Sequence, residues 1–224
     1  MINRPYFFRT LHLSRSVFRG GTHTLFLCAL ILLVNACGGG NVKEDEDQYT
    51  STQQAPQSEH AANAELTGKQ QAEYEIALRL LEQKQYERAK KLLMKLSATA
   101  AAPAKIDANL ALCHFKLANF TLASQSIATA LTKNSESADT QNLAALISIE
   151  TGNFPQAEKH LQAALKIDSE HVFAHYNMAL LYDIYFQEIA TAYQHYLKYL
   201  NLINYEDKDT VEWVEQLRYS VEAE

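Results

Sequence analysis

The sequence has little of several features that would indicate particular classes of protein. It contains only three cysteines, so an internal disulfide framework is not expected. It has no glycine-rich phosphate loop, no HExxH metal motif and no nucleophile motif. Its longest apolar run, from Thr24 to Val34, is about half of the roughly 20 residues that a membrane-spanning helix needs. These absences disfavour an enzyme of a familiar motif class and a transmembrane helix.

The N-terminal segment is instead typical of an export signal. Four arginines and no acidic residue precede the apolar run, and such a positive region before a short hydrophobic stretch characterises a signal peptide. The run ends in Val34-Asn35-Ala36-Cys37, followed by three glycines. We therefore predict a signal peptide over residues 1–36.

The four residues Val34 to Cys37 resemble a bacterial lipobox. The resemblance implies cleavage before Cys37 and a diacylglyceryl thioether on its sulfur, which would anchor the protein to a membrane. Gly38, where an aspartate would retain a protein at the inner membrane, resembles lipoproteins sent to the outer membrane, so we expect an outer-membrane location facing the periplasm. The alternative is an ordinary signal peptide in which Cys37 is incidental.

The remaining chain is acidic and begins with a segment of low hydrophobicity. Without the four signal arginines, 16 Lys+Arg stand against 26 Asp+Glu, a net charge of −10, which disfavours nucleic acid and anionic headgroups as partners. Residues 37–69 show no apolar period and predict a disordered, lipidated tether. Cys113 would be left without a cysteine partner, and we expect its side chain to be buried.

After the tether the sequence repeats at a regular interval. An aromatic residue is followed three positions later by alanine in three places: Tyr86/Ala89, Phe120/Ala123 and Phe154/Ala157. The interval from one aromatic residue to the next is 34 residues both times, from 86 to 120 and from 120 to 154. A further alanine stands nine positions before each aromatic, and an aliphatic residue stands seven after it.

This pattern resembles the tetratricopeptide repeat, a helix-turn-helix unit of about 34 residues. The resemblance implies an all-α, right-handed solenoid of about four units, at residues 70–103, 104–137, 138–171 and 172–203. The fourth unit fits only if one residue is inserted in its turn. Residues 209–222 carry apolar side chains at helical spacing and predict a helix that covers the end of the stack, with Asp209 or Thr210 as its N-cap. Trp213 of this helix is either part of that packing or a docking residue.

Candidate catalytic and metal-binding groups are few. His171 and His175 stand four positions apart, a spacing that allows a shared metal on one helix face, but a structural or exposed pair is the preferred interpretation. Cys113 and His114 are adjacent, and adjacent helical residues do not face each other. We therefore predict no catalytic residue, no metal, no cofactor and no enzymatic activity.

In the tetratricopeptide family the first helix of each repeat lines a concave groove, through the fifth, ninth, twelfth and thirteenth places among others. In this sequence the resemblance assigns to the groove, in chain order, Tyr74, Leu78, Leu81, Glu82, Ala108, Leu112, Phe115, Lys116, Asn142, Leu146, Ile149, Glu150, Tyr176, Leu180, Asp183 and Ile184. The set is mostly apolar, so the expected partner is an apolar helix or peptide of another protein. The alternatives are that the leucines are core between repeats, or that the tether fills the groove.

The resulting hypothesis is an envelope lipoprotein that acts as a scaffold or assembly factor. Pilotins of pilus secretins, and a lipoprotein of the outer-membrane barrel assembly machinery, provide an analogy at the level of the fold. A second hypothesis is an accessory factor that recruits a cell-wall enzyme, and a third is an enzyme that uses the histidines.

Replacing the lipobox cysteine tests the predicted anchor. In Cys37→Ser the thioether cannot form, so we expect metabolic palmitate labelling to be lost and the protein to become soluble or to remain uncleaved. The physical reason is that each buried acyl CH₂ contributes about 0.8 kcal/mol to membrane binding. Intact labelling of the variant would show that Cys37 is not the lipidation site.

Overall fold

The computed structural model describes residues 65–99 and 102–222. The predicted signal peptide, the lipidation site Cys37 and nearly all of the predicted tether lie outside these residues, and they stay predictions. Within the described ranges, no helix combines the length and the apolar character needed to cross a bilayer.

The described part of the chain forms α-helices joined by short turns, with one π-helical turn. The helices are α1 (Gly68–Glu82), α2 (Tyr86–Ser97), α3 (Ala104–Lys116), α4 (Phe120–Lys133), α5 (Ala138–Glu150), α6 (Phe154–Ile167), α7 (Val172–Leu180) with the π-helical turn Leu181–Phe186, α8 (Ile189–Leu202) and α9 (Lys208–Val221). Successive helices pack as hairpins, each hairpin packs on the next, and α9 packs on α8. This arrangement confirms the predicted all-α solenoid of four repeats with a terminal helix.

The turn inside each of the first three repeats has the same backbone conformation. Lys84, Ala118 and Gly152 all have a left-handed φ, at 58°, 57° and 75°, and they take equivalent places in successive repeats. Of these, only Gly152 avoids the steric cost of a Cβ in that conformation. The shared turn therefore follows from the packing of the two helices rather than from a turn sequence.

The fourth repeat accommodates one additional residue, as predicted. Its left-handed turn residue is Gln187, with φ 58°, one position later in its repeat than Gly152 is in the third. The additional residue is absorbed by the π-helical turn Leu181–Phe186 at the end of α7. A π-helical insertion of this kind widens one helical turn while the flanking helices keep their contacts.

Alanines occupy the closest contacts between helices. The small-residue places on the first and second helices of the four repeats are all 0% exposed, and they are Ala77, Ala89, Ala111, Ala123, Ala145, Ala157, Ala179 and Ala192. Aliphatic side chains such as Leu93 and Leu161, also 0% exposed, fill the space beside them. This pattern confirms the packing predicted from the repeat and explains why small residues recur, since two helices approach closely only where no large side chain separates them.

An ion pair within the second repeat is hydrogen-bonded to the end of the first repeat. The Asp107 carboxylate, in α3, is 2% exposed and accepts hydrogen bonds from Lys133 Nζ of α4, at 2.6 Å, and from the Ser97 hydroxyl at the end of α2. Lys133 also donates to the Ala102 carbonyl at 2.9 Å. Removing one member of such a buried pair typically costs about 3–5 kcal/mol, because the other charge is left uncompensated.

The helix ends correct two predicted boundaries. Thr67 caps α1 in a capping box with Gln70, so the helix begins at Gly68, before the predicted end of the tether. The N-cap of α9 is Asp207, whose carboxylate accepts from Thr210 N at 3.2 Å. The prediction of Asp209 or Thr210 as the N-cap was wrong. An N-cap side chain accepts from the amide three positions later, so Thr210 provides the capped amide and Asp207 is the cap.

Enlarging a contact alanine tests the packing. Ala157 lies in a buried cluster with Ala145, Leu161 and Met178, so Ala157→Leu must displace these neighbours. We expect a loss of about 1–3 kcal/mol in the free energy of unfolding, measured by urea denaturation. The control is Ala128→Leu at an exposed site of α4, which should change stability little. Equal losses at both sites would contradict the assigned packing.

Candidate protein-binding groove

The first helices of the repeats lie side by side and form the inner layer of the solenoid. Helix α5 contacts both α3 and α7, in addition to the second helices α4 and α6. Side chains on the remaining face of these helices are the predicted groove residues. The second helices form the outer layer, where Met94 of α2 and Leu122 of α4 are 52% and 46% exposed.

The predicted groove residues differ widely in exposure. Tyr74, Leu81, Ala108, Leu112, Asn142, Leu146 and Tyr176 are buried, Leu78, Phe115, Lys116, Ile149, Leu180 and Asp183 are half-buried, and Glu82, Glu150 and Ile184 are exposed. Leu112 and Leu146 retain only 8% and 4% of their accessible surface. These two leucines therefore belong to the core between repeats, which is the alternative stated for them above, and they offer almost no surface to a ligand. The half-buried and exposed members provide the accessible part of the predicted groove.

Two amide side chains connect successive first helices beneath this surface. Asn109 Nδ2 of α3 donates to Tyr74 Oη of α1 at 2.7 Å, and Asn177 Nδ2 of α7 donates to Asn142 Oδ1 of α5 at 2.8 Å. Burial raises the pKa of Tyr74 to about 12, although the hydrogen bond from Asn109 acts in the opposite direction. Sequence reasoning missed Asn109 and Asn177, although each lies about one repeat along the chain from its partner.

Lysines border the groove in the second repeat. Lys105 Nζ lies 5.0 Å from the centre of the Tyr74 ring, and Lys116 Nζ lies 5.6 Å from the centre of the Phe115 ring. Both distances are within the range of cation–π attraction. Burial, with a smaller contribution from the positive charge of Lys84, lowers the pKa of Lys116. In the third repeat the thirteenth place is the exposed Glu150 instead.

No protein-family model matches the chain, and no curated protein sequence matches it. Solved structures do match. TTC0263, a TPR protein of Thermus thermophilus, superimposes with a TM-score of 0.57 at 16% identity, covering 68% of this chain and 82% of its own. YrrB, described as a TPR protein with an unusual peptide-binding site, superimposes with a TM-score of 0.56 at 17% identity. The match covers 65% of this chain and 74% of YrrB. MamA from Desulfovibrio magneticus RS-1 superimposes with a TM-score of 0.55 at 17% identity. The match covers 62% of this chain and 77% of the MamA chain.

The chain has the tetratricopeptide repeat (TPR) fold. At these identities the likeness concerns the path of the backbone, and the helix pairs, the turn spacing and the alanine contacts agree with it.

The end of the TPR solenoid is held by hydrogen bonds to Asp183. Its carboxylate, in the π-helical turn, accepts from Tyr196 Oη of α8 and from Trp213 Nε1 of α9, both at 3.0 Å. Trp213 thus ties the terminal helix to the fourth repeat, as the packing interpretation predicted. Tyr196 is 1% exposed, so it belongs to the core of this repeat.

The histidines of the fourth TPR have separate structural partners. His171 caps α7, because its Nδ1 accepts from Ala174 N at 3.1 Å, and its Nε2 donates to Asp139 Oδ1 at 3.0 Å. The Nδ1 atom of His175 lies 3.0 Å from Nδ1 of His195 in α8. Among the described residues, no group of three or more His, Cys, Asp or Glu side chains is arranged to hold a metal ion.

Cys113 is 0% exposed, and burial raises the pKa of its thiol to about 12. The predicted burial of this cysteine is confirmed. A thiol with this pKa is almost entirely protonated at neutral pH, and the protonated thiol is a poor nucleophile. The neighbouring His114 is also buried, and burial lowers the pKa of its imidazole.

The pair formed by His175 and His195 is neutral at pH 7. The Nε2 atom of His175 donates to the Ser169 carbonyl at 3.1 Å, so its Nδ1 is the acceptor and His195 Nδ1 is the donor. Burial, with the nearby charge of His175 second, lowers the pKa of His195 to about 4. The pKa of His175 is also lowered, first by burial and then by Lys198 and His171, against the Ser169 hydrogen bond and Asp168.

These shifts predict loss of stability in mild acid. An unfolded histidine titrates near pH ~6.5, so below that pH the unfolded chain binds more protons than the folded chain. The contribution of the neutral His195 to stability is fully present above pH ~6.5 and falls as the pH decreases towards 4. The melting temperature should therefore decrease between pH 7 and pH 5. His195→Gln retains a hydrogen-bond donor and should reduce this decrease. An unchanged or higher melting temperature of the original protein at pH 5 would contradict the assignment.

Proposed function

We propose that this protein is an envelope lipoprotein whose TPR solenoid serves as a protein–protein interaction scaffold or assembly factor. The observation that supports this function is that each of the four first helices has a half-buried apolar side chain at its ninth or twelfth place. Leu78 and Leu180 take the ninth place of their repeats, and Phe115 and Ile149 take the twelfth. The partner is an apolar helix or extended peptide that completes the burial of these side chains.

The energetics favour a partner with several anchoring residues. Removing apolar surface from water contributes about 25 cal/mol per Å², and no single half-buried leucine offers enough area for stable association. An amphipathic helix that places apolar residues at i, i+3, i+4 and i+7 would contact several TPR units at once. YrrB, a protein of the same fold, is described as having an unusual peptide-binding site, which supports a peptide as the ligand.

The proposed location depends on Cys37 and adds a geometric condition. A lipid on Cys37 would hold the TPR solenoid near the outer membrane on a tether of about thirty residues, and a flexible chain of that length has an r.m.s. reach on the order of 30 Å. The partner would therefore be a component of the outer membrane or of the adjacent periplasm. No cofactor and no nucleic acid take part.

Photo-crosslinking in cells tests the groove. A photoreactive amino acid at Phe115 or at Leu180 should yield the same protein adduct, because both positions face the groove from different repeats. The matched controls are Met94 and Leu122, which are exposed on the outer helices. We expect no such adduct from them.

The identity of the adduct separates the two forms of the proposal. A secretin or barrel-assembly component supports the assembly factor, whereas a hydrolase or synthase of the cell wall supports the accessory-factor alternative. Equal adducts from inner and outer positions, or none from either inner position, would contradict binding in the groove.

A further inference from the structure

A pair of histidines lies where the two helices of the fourth repeat meet. His175 of α7 and His195 of α8 are half-buried, and their Nδ1 atoms are 3.0 Å apart. The ring centres are 5.3 Å apart, so the two nitrogens lie between the rings. His171, four positions before His175, already uses both of its ring nitrogens, for Ala174 N and for Asp139. The pair therefore joins two helices and does not lie along one.

The hydrogen bonds of His175 suit a metal ligand. Its Nε2 donates to the Ser169 carbonyl at 3.1 Å, so its Nδ1 carries a lone pair on the side of His195. A metal-binding histidine almost always donates its other ring N–H to such an acceptor, which fixes the ring and its tautomer. His195 is also neutral, because burial lowers its pKa to about 4, and a neutral imidazole can hold its proton on Nε2 instead of Nδ1. Both Nδ1 lone pairs are then available without loss of a proton from the protein.

The separation of the two nitrogens discriminates between metal ions. Imidazole nitrogens bind Zn²⁺ and similar ions at about 2.0–2.1 Å. Two nitrogens at that distance are about 2.9 Å apart when they subtend roughly 90° at the ion, and about 3.4 Å apart at the tetrahedral angle of roughly 109°. The observed separation of 3.0 Å is closer to the first value. A right angle is typical of square-planar and tetragonal sites, which Cu²⁺ and Ni²⁺ favour.

The surrounding charges favour a bound cation. Residues 138–222 contain five Lys+Arg and thirteen Asp+Glu, a net charge of −8. Asp168 and Lys198 both lie within electrostatic range of His175, and Lys198 Nζ is 3.8 Å from a carboxylate oxygen of Glu170. The two carboxylates therefore outweigh the single ammonium group in this part of the fourth repeat.

We propose that His175 and His195 form a two-histidine site for a divalent transition-metal ion, with Cu²⁺ preferred over Ni²⁺ and Zn²⁺. Each ring turns about its Cβ–Cγ bond until its Nδ1 lone pair points at the ion, and water molecules take the remaining positions. The preference follows the general order of affinity of such ligands for these ions. The sequence did not predict this site, because its two ligands come from different helices.

The bound ion would link α7 to α8. It would stabilise the fourth repeat, since a ligand that binds the folded chain more tightly than the unfolded chain shifts the equilibrium towards the folded state. The ion takes no part in the proposed binding of a protein partner, so neither proposal depends on the other.

Copper binding to the full chain, purified in a non-ionic detergent without an oligohistidine tag, tests this inference. The protein is titrated with CuCl₂ at neutral pH against a competing chelator of known affinity, and electron paramagnetic resonance reports the nitrogen ligands of the bound ion. We expect a bound ion with two imidazole nitrogens. His175→Gln and His195→Gln should each weaken its binding at least tenfold.

Two histidine variants outside the pair are matched controls. His171→Asn removes an imidazole but keeps an oxygen that can cap α7, and His160→Gln removes the imidazole of α6 that contacts Gln141 and Gln156. Both variants should bind Cu²⁺ within twofold of the original protein. Circular dichroism checks that each variant remains folded.

A second measurement needs no variant. NiCl₂ should raise the melting temperature of the original protein, because Ni²⁺ binds imidazole nitrogens of the folded chain. MgCl₂ should leave the melting temperature unchanged, because Mg²⁺ prefers oxygen ligands.

Three outcomes would overturn the inference. Equal copper affinity of His195→Gln and the original protein would show that His195 is not a ligand. Equal losses in His171→Asn and His175→Gln, with none in His195→Gln, would place the ion on the single-helix pair. Absence of a two-nitrogen copper signal, or an unchanged melting temperature in NiCl₂, would show that the pair does not bind a metal. Each of these results would leave the photo-crosslinking test of a partner unaffected.

Discussion

Close contact between helices at alanine is the constraint on which the rest of the structure depends. Each repeat places one alanine on its first helix and one on its second, and all eight are inaccessible to solvent. With these small residues at the contact, larger aliphatic side chains can interlock on either side at the density of a protein interior. The spacing of these contacts sets the angle between helices, and repetition of one angle along the chain produces a solenoid.

Polar contacts then distinguish one repeat from the next. Asp107 and Lys133 form an ion pair within the second repeat and hydrogen-bond to Ser97 and to the Ala102 carbonyl of the first. The amides of Asn109 and Asn177 bridge successive first helices. At the other end, Asp183 accepts from Tyr196 and Trp213 and so attaches the terminal helix. A buried polar group is costly when unpaired, so these pairs favour one arrangement of neighbouring repeats over a shifted one.

The arrangement of the repeats also determines what the inner face can offer to a ligand. The ninth-place leucines of the central repeats, Leu112 and Leu146, are almost fully buried, whereas Leu78 and Leu180 of the end repeats are half-buried. The same consensus position is therefore core in the middle of the solenoid and accessible surface at its ends. Lys105 and Lys116 of the second repeat and the exposed Glu150 of the third add charges of opposite sign to the apolar contacts of the inner face.

The sequence by itself determined the period, the alanine contacts, the number of repeats and the additional residue of the fourth turn. These features could be predicted because a regular interval between aromatic residues and a small residue at a fixed place are local properties of the chain. Only the tertiary structure decided that Leu112 and Leu146 are buried. It also decided that Asp183 accepts a hydrogen bond from Trp213 and that His175 and His195 are hydrogen-bonded to each other. Burial and hydrogen-bond partners of this kind depend on side chains that neighbouring helices bring together from distant positions in the chain. A sequence pattern does not specify which of several possible partners comes within hydrogen-bonding distance.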